Sequence, residues 1–260
     1  MLLILGMTSC TKYDETAESN PAPEIPPAST FAMDFNDFSN IDTTAFKSSQ
    51  TYNNWGWAAL NVGVWNTILT ITFAIPVASF HEAFNHQGVW NPAEGKWIWS
   101  YNFIAGGVVH LAELKASSVS EGIKWEMFIS KTNAFTDFLW YHGVSNLTNT
   151  EGEWHLNENP NTPGEIILIE WNRNSTGSEA DIKYTNVKQG APENGGYIFY
   201  GINTNVPFDA FYHIYGASAD NLVTIEWSRT NKNGHVSDEA HFGDTSWHCW
   251  DEMLLDIICP

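Results

Sequence analysis

From residue 96 onward the chain repeats one pattern, in which short apolar and aromatic runs alternate with polar residues at a period of two and are separated by Gly, Asn or Pro. Period two sends successive side chains to opposite faces of a strand, so each run reads as a strand with one face for a core and one for water. Residues 96–104 place Trp97, Trp99, Tyr101 and Phe103 on one face. Residues 123–130 set Ile123, Trp125, Met127 and Ile129 against Lys124, Glu126 and Ser130. Further runs at 108–119, 138–142, 154–156, 165–173, 182–187, 197–202, 210–215, 222–229 and 247–250 bring the total to about eleven or twelve strands. The intervals are too short for parallel crossovers, which take a dozen or more residues, so neighbours are expected to pair antiparallel. The predicted fold is mainly β, an antiparallel meander barrel or a sandwich, in a single domain over 35–260.

Composition supports strands over solvated helices. Charged residues are only 16% of the 260, so much of the polar surface falls to Asn, Thr, Ser and Gly. With 11 Lys+Arg against 30 Asp+Glu the net charge is -19, which repels phosphate backbones and excludes nucleic acid as a partner. Thirteen Trp supply flat apolar faces that serve either a packed interior or a sugar-stacking surface.

Residues 57–80 interrupt this pattern with a stretch that carries no charge. As a helix it puts Leu60, Val64, Ile68, Ile71 and Ile75 on one side and Trp65, Leu69 and Phe73 on another, so it is apolar all round and has to be surrounded. A bilayer, a partner chain or the concave face of its own sheet would each do this, and a pair of strands over the β-branched part is an alternative. The expected arrangement is one buried apolar N-terminal helix inside the β wall. A helix over 57–75 is about 28 Å long at ~1.5 Å per residue, close to the height of a tilted nine-residue strand.

Residues 1–9 are an uncharged apolar run that ends in small residues and reads as an export signal. The segment Met7-Thr8-Ser9-Cys10 resembles the lipobox of bacterial lipoprotein signal peptides, with Met7 where Leu is usual and no Lys or Arg ahead of the apolar run. The resemblance implies lipidation at Cys10 and attachment to a membrane. Asp14, Glu15 and Glu18 behind that Cys look like the acidic signal that sends some Gram-negative lipoproteins to the outer face of the outer membrane. Residues 10–34, rich in Pro, are expected to form a flexible tether. In an exported chain Cys249 and Cys259 read as one disulfide closing a short loop, two free thiols being the alternative.

No catalytic or metal motif has standard spacing, and no cofactor is expected. His81 and His86 are five apart where the zinc-protease helix needs four. His235, Asp238, His241, Asp244, His248 and Asp251 are the densest set of possible ligands, without a recognised pattern. Glu126, Glu170 and Glu226 occupy equivalent places on three strands and are the only carboxylates considered for glycan cleavage. Trp90, Trp140, Tyr141 and Trp154 are the candidate rim residues for stacking on sugar rings. The expected function is that of a lipid-anchored outer-membrane surface protein acting as a structural or interaction module, with an envelope protein or further copies of itself as partner. Glycan capture is the alternative, and a glycan-active enzyme the weaker one.

Overall fold

The computed structural model describes residues 21–32, Phe35, Phe38 and 51–260. The signal segment 1–9, Cys10 and the first part of the expected tether lie outside the described residues.

The domain is built on one fourteen-stranded antiparallel sheet in which each strand pairs with its neighbours in sequence, from β1 to β14. Eleven strands fall on the alternating runs: β2 (Lys96–Ala105), β3 (Val108–Val119), β4 (Gly122–Lys131), β5 (Phe135–Ser145), β6 (Glu151–Asn159), β7 (Thr162–Arg173), β8 (Ala180–Asn186), β9 (Tyr197–Ile202), β10 (Ala210–Gly216), β11 (Asn221–Trp227) and β13 (His248–Trp250). Three more, β1 (Val89–Asn91), β12 (Gly234–Ser237) and β14 (Asp256–Ile257), are too short for a period of two to show. The mainly-β meander is as expected. It differs in closure, because the sheet is not joined into a barrel and β1 and β14 remain its two edges.

Along the strands one face is buried and aromatic. Trp99 and Tyr101 on β2, Trp125 on β4, Trp154 on β6, Trp171 on β7, Tyr212 on β10 and Trp227 on β11 are each no more than 4% exposed. Onto this face pack two helices, α1 (Asn53–Thr72) and α2 (Ala74–Ala83), bent by 69°. The bend has a covalent cause. Pro76 has no N–H to give the Thr72 carbonyl and its ring clashes with that turn, so the helix breaks at Phe73. α1 lies against β12, β13 and β14 while α2 lies against β2, so the pair spans the two ends of the sheet. Among the described residues no single helix is long and apolar enough to cross a membrane.

Enclosure of the helix is one-sided. Trp55, Ala58, Ala59, Val62 and Leu69 of α1 are buried, but Leu60, Val64, Ile68 and Ile71 are 44–74% exposed. Val64 and Ile68 line an open groove between α1 and the sheet, with Ile167, Ile214 and Val223 on its far wall, so the sheet covers this side of the helix only in part.

The expected tether over 10–34 also needs correction from residue 21. Ile25 and Phe31 are buried, with the Phe31 ring 4.8 Å from Phe80 and 4.7 Å from Tyr141. The Tyr184 hydroxyl donates to the Phe31 carbonyl at 3.2 Å, and the Asn149 side chain donates to the Glu24 carbonyl at 3.1 Å. Two apolar anchors and these side-chain donors hold a Pro-rich segment that has no ladder of its own.

Candidate functional site

Three of the four aromatic rim candidates are core residues. Tyr141 and Trp154 are 0% and 1% exposed and Trp140 is 5% exposed, so none offers a face to a sugar. Trp154 stands opposite Gly143 across the β5–β6 ladder and its indole covers the space a side chain would fill there. Trp171 does the same over Gly152 and Trp250 over Gly234. Small residues beneath large ones are how inward faces interdigitate, and these cross-strand pairs place three of the thirteen Trp. Trp90 alone is open, half-exposed on β1 and tilted against Trp97 at 5.5 Å.

The C-terminal His and Asp residues do not converge on an ion; each has a separate structural role. Asp238 caps the short helix α3 (Glu239–Phe242) and accepts from the Trp57 indole at 2.8 Å and the Asn221 amide at 2.9 Å. His241 stacks on Trp57 at 3.6 Å, tying α1 to this loop. His235 stacks on Trp247 at 3.7 Å and meets Glu226 at 3.0 Å. His248 stacks on Phe242 at 3.7 Å and meets Asp244 at 3.2 Å, while Asp251 accepts from the amides of Met253 and Leu255. Cys249 and Cys259 form the disulfide that closes this region.

The three strand glutamates share the outer face but no cleft. Glu126 is on β4, Glu170 on β7 and Glu226 on β11, so at ~4.8 Å per strand the nearest two are about 14 Å apart along the sheet. Cleavage of a glycosidic bond needs carboxyls no more than about 9.5 Å apart. Glu126 is moreover locked as an anion. Burial alone would raise its pKa, but Lys96 at 2.6 Å and Lys124 at 2.9 Å outweigh that and bring it below the usual carboxylate value.

Two features remain as candidate sites. The first is the outward side of α1, where Leu60, Val64, Ile68 and Ile71 follow spacings of four, four and three and form one continuous stripe. The other exposed positions between Leu60 and Ala74 are Thr67, Thr70 and Ala74 itself, so α1 adds no charge to this face, and the charged residue beside it is Glu193, which lines the same groove as Val64 and Ile68. An exposed apolar stripe is the expected form of a contact surface.

The second lies on the outer face of the sheet. His142 on β5 and His155 on β6 are direct cross-strand partners, their rings parallel within 5° at 4.9 Å, and Glu165 of β7 reaches both. Among the described residues this is the one group of three His, Cys, Asp or Glu side chains whose ligand atoms converge, all within 4.8 Å of one another. Burial, then the neighbouring His155 and Lys124, depress the His142 pKa against the pull of Glu165, which favours a neutral ring. No local motif announces this group, since its members lie on three successive strands and only the strand register and the β-bulge in β7 bring them together. Comparison of the chain with protein-family models, with curated proteins and with solved structures gives no match.

Proposed function

We propose that this chain is a lipid-anchored protein of the Gram-negative outer-membrane surface that works as an interaction module, with the outward side of α1 as its docking face. The single observation that carries the reading is the stripe Leu60, Val64, Ile68 and Ile71, four large apolar side chains exposed in succession along one helix. Covering four such residues, each already partly buried, yields about 1–2 kcal/mol apiece, enough to hold a partner once tethering has raised its local concentration. The partner is an envelope protein that offers an apolar groove; a second copy carries the same net negative charge and is repelled. The anchor rests on the lipobox resemblance at Cys10. Between Cys10 and Ile25, the first buried residue, the chain reaches at most about 50 Å, which keeps the domain close to the bilayer.

Site-specific photocrosslinking tests the docking face. Benzoylphenylalanine placed at Val64 or Ile71 of the full chain, expressed in a Gram-negative envelope, is expected to give a crosslinked species of discrete mass. The same probe at Glu113 on the outer face of the sheet should give none. Silence from both α1 positions, or equal labelling from all three, sinks the reading, and a species of twice the chain mass would make the partner a second copy. Cys10→Ala should move the protein from the membrane to the soluble fraction. Glycan capture, the second reading, rests on the exposed Trp90 beside Trp97; retardation in polysaccharide gels that Trp90→Ala abolishes would favour it.

A further inference from the structure

The geometry points to a divalent transition-metal site, fit for zinc, on the outer face of the sheet, with His142 Nε2, His155 Nδ1 and Glu165 Oε1 as ligands. The site is independent of the α1 face and of the lipid anchor.

A β-bulge makes the site possible. Inward residues of β7 are Ile167, Ile169 and Trp171, so in an unbroken strand Glu165 would share their side. The register shifts between Leu156 and Asn157, where β7 sets Glu165 rather than Ile166 opposite Asn157. The extra residue turns Glu165 to the outer face, where His155 already stands, and re-aiming a side chain is what a bulge does.

Hydrogen bonding then fixes which ring nitrogen is free. His155 Nε2 lies 3.3 Å from Glu153 Oε1, and since a carboxylate can only accept, that nitrogen carries the proton. A neutral ring with its proton on Nε2 leaves a lone pair on Nδ1. That Nδ1 is buried and has no hydrogen-bond partner, yet it faces Glu165 Oε1 at 3.3 Å. Two acceptors 3.3 Å apart, one anionic, call for a positive charge between them, and since Glu165 Oε1 also lies 3.5 Å from His142 Nε2, a metal ion would meet all three atoms where a second proton on His155 joins only two. Glu153 is in the position of the outer carboxylate that orients a metal-binding His and raises its basicity.

Distances and donor types fit the same ion. Tetrahedral zinc with bonds of about 2.0–2.2 Å sets neighbouring ligand atoms about 3.3–3.6 Å apart. Glu165 Oε1 is 3.3 Å from His155 Nδ1 and 3.5 Å from His142 Nε2. The two nitrogens are no more than 4.8 Å apart, and because the parallel rings aim their in-plane lone pairs side by side, the His142 ring, whose side chain is 32% exposed, has to turn for both to meet one ion. Two imidazoles and one carboxylate suit zinc and its borderline neighbours, not calcium or magnesium, which take all-oxygen sets. Lys124, the neighbouring cation, is held by Glu126 at 2.9 Å. Three protein ligands on a solvent-facing surface leave a fourth position for water or a partner's side chain.

Calorimetric titration of the untagged full chain with zinc chloride tests this. One equivalent is expected to bind, with a heat of binding lost in His142→Ala, His155→Ala and Glu165→Gln and unchanged in His235→Ala. Glu153→Gln should weaken binding about 10–100-fold without abolishing it, as loss of an outer partner does. Cobalt in place of zinc should give the intense visible absorption of a four-coordinate ion. No saturable zinc heat in the unaltered chain would overturn the assignment. So would retention of the bound equivalent in Glu165→Gln, the near-isosteric variant that leaves the fold least disturbed.

Discussion

At the scale of single residues, the interior is organised by glycines set beneath indoles. A methyl group at Gly152 would come within 2.5 Å of the Val144 carbonyl oxygen and 2.6 Å of the Trp171 ring. The first neighbour is backbone and cannot yield without breaking the β5–β6 ladder. Gly152→Ala is therefore expected to lower stability by about 1–3 kcal/mol, the usual cost of overpacking a core. Gly63, inside α1 with no atom near its missing side chain, provides the contrast. Gly63→Ala should gain up to about 1 kcal/mol through helix propensity. Urea midpoints of the two variants that move in the same direction would contradict this account of the core. The alternation shows which side of β6 Trp154 occupies. It does not show that this side is inward, and the rim role given to Trp154 failed on that point.

At the scale of elements, the N-terminal strap and the broken helix complete what the strands cannot do alone. Phe31 fills a pocket walled by Phe73, Phe80, Tyr141 and Trp154, joining the α1–α2 break, α2, β5 and β6 through one ring. Phe31→Ala should cost about 3–5 kcal/mol, the range for deleting a buried aromatic. A loss below about 1 kcal/mol in the denaturation midpoint would show that residues 21–32 do not belong to the folded unit. A Pro-rich, weakly apolar segment reads as a tether because its composition cannot form a core, yet two residues suffice to dock it onto a core that others build. Similarly Pro76 could be read as a helix breaker, but the direction taken after the break depends on β2 receiving α2.

At the scale of the molecule, the sheet remains open, with a short strand at either edge. β14 has two residues and β1 three, and β1 pairs with only Lys96, Trp97 and Ile98 of β2, so among the described residues the edge of 99–105 has no strand beside it and α2 is the element packed against β2 there. The outer face carries histidines that penalise acid. Burial lowers the pKa of His213 and of His235 below the ordinary 6.5, more than Glu226 raises either one. A folded-state pKa below the unfolded one means that the unfolded chain binds protons first, so stability is full above pH ~6.5 and falls as the pH drops through that value towards the folded pKa. The His213→Gln/His235→Gln double variant should lose less stability than the unaltered protein between about pH 7 and pH 5. Urea midpoints that decline in parallel would remove these two rings from the account.

The sequence by itself determined the mainly-β class, the antiparallel order of neighbouring strands, the chargeless character of residues 57–80 and the reach of Cys249 to Cys259. Each of these depends on local periodicity or on residues close along the chain, where the physics of a strand or a short loop is already complete. Tertiary structure decided which face of the strands is inward, how much of α1 stays bare, and that His142, His155 and Glu165 meet. Those outcomes follow from the register of ladders and from one bulge, and register is chosen by the whole sheet at once, as each strand's buried face must match those on either side of it.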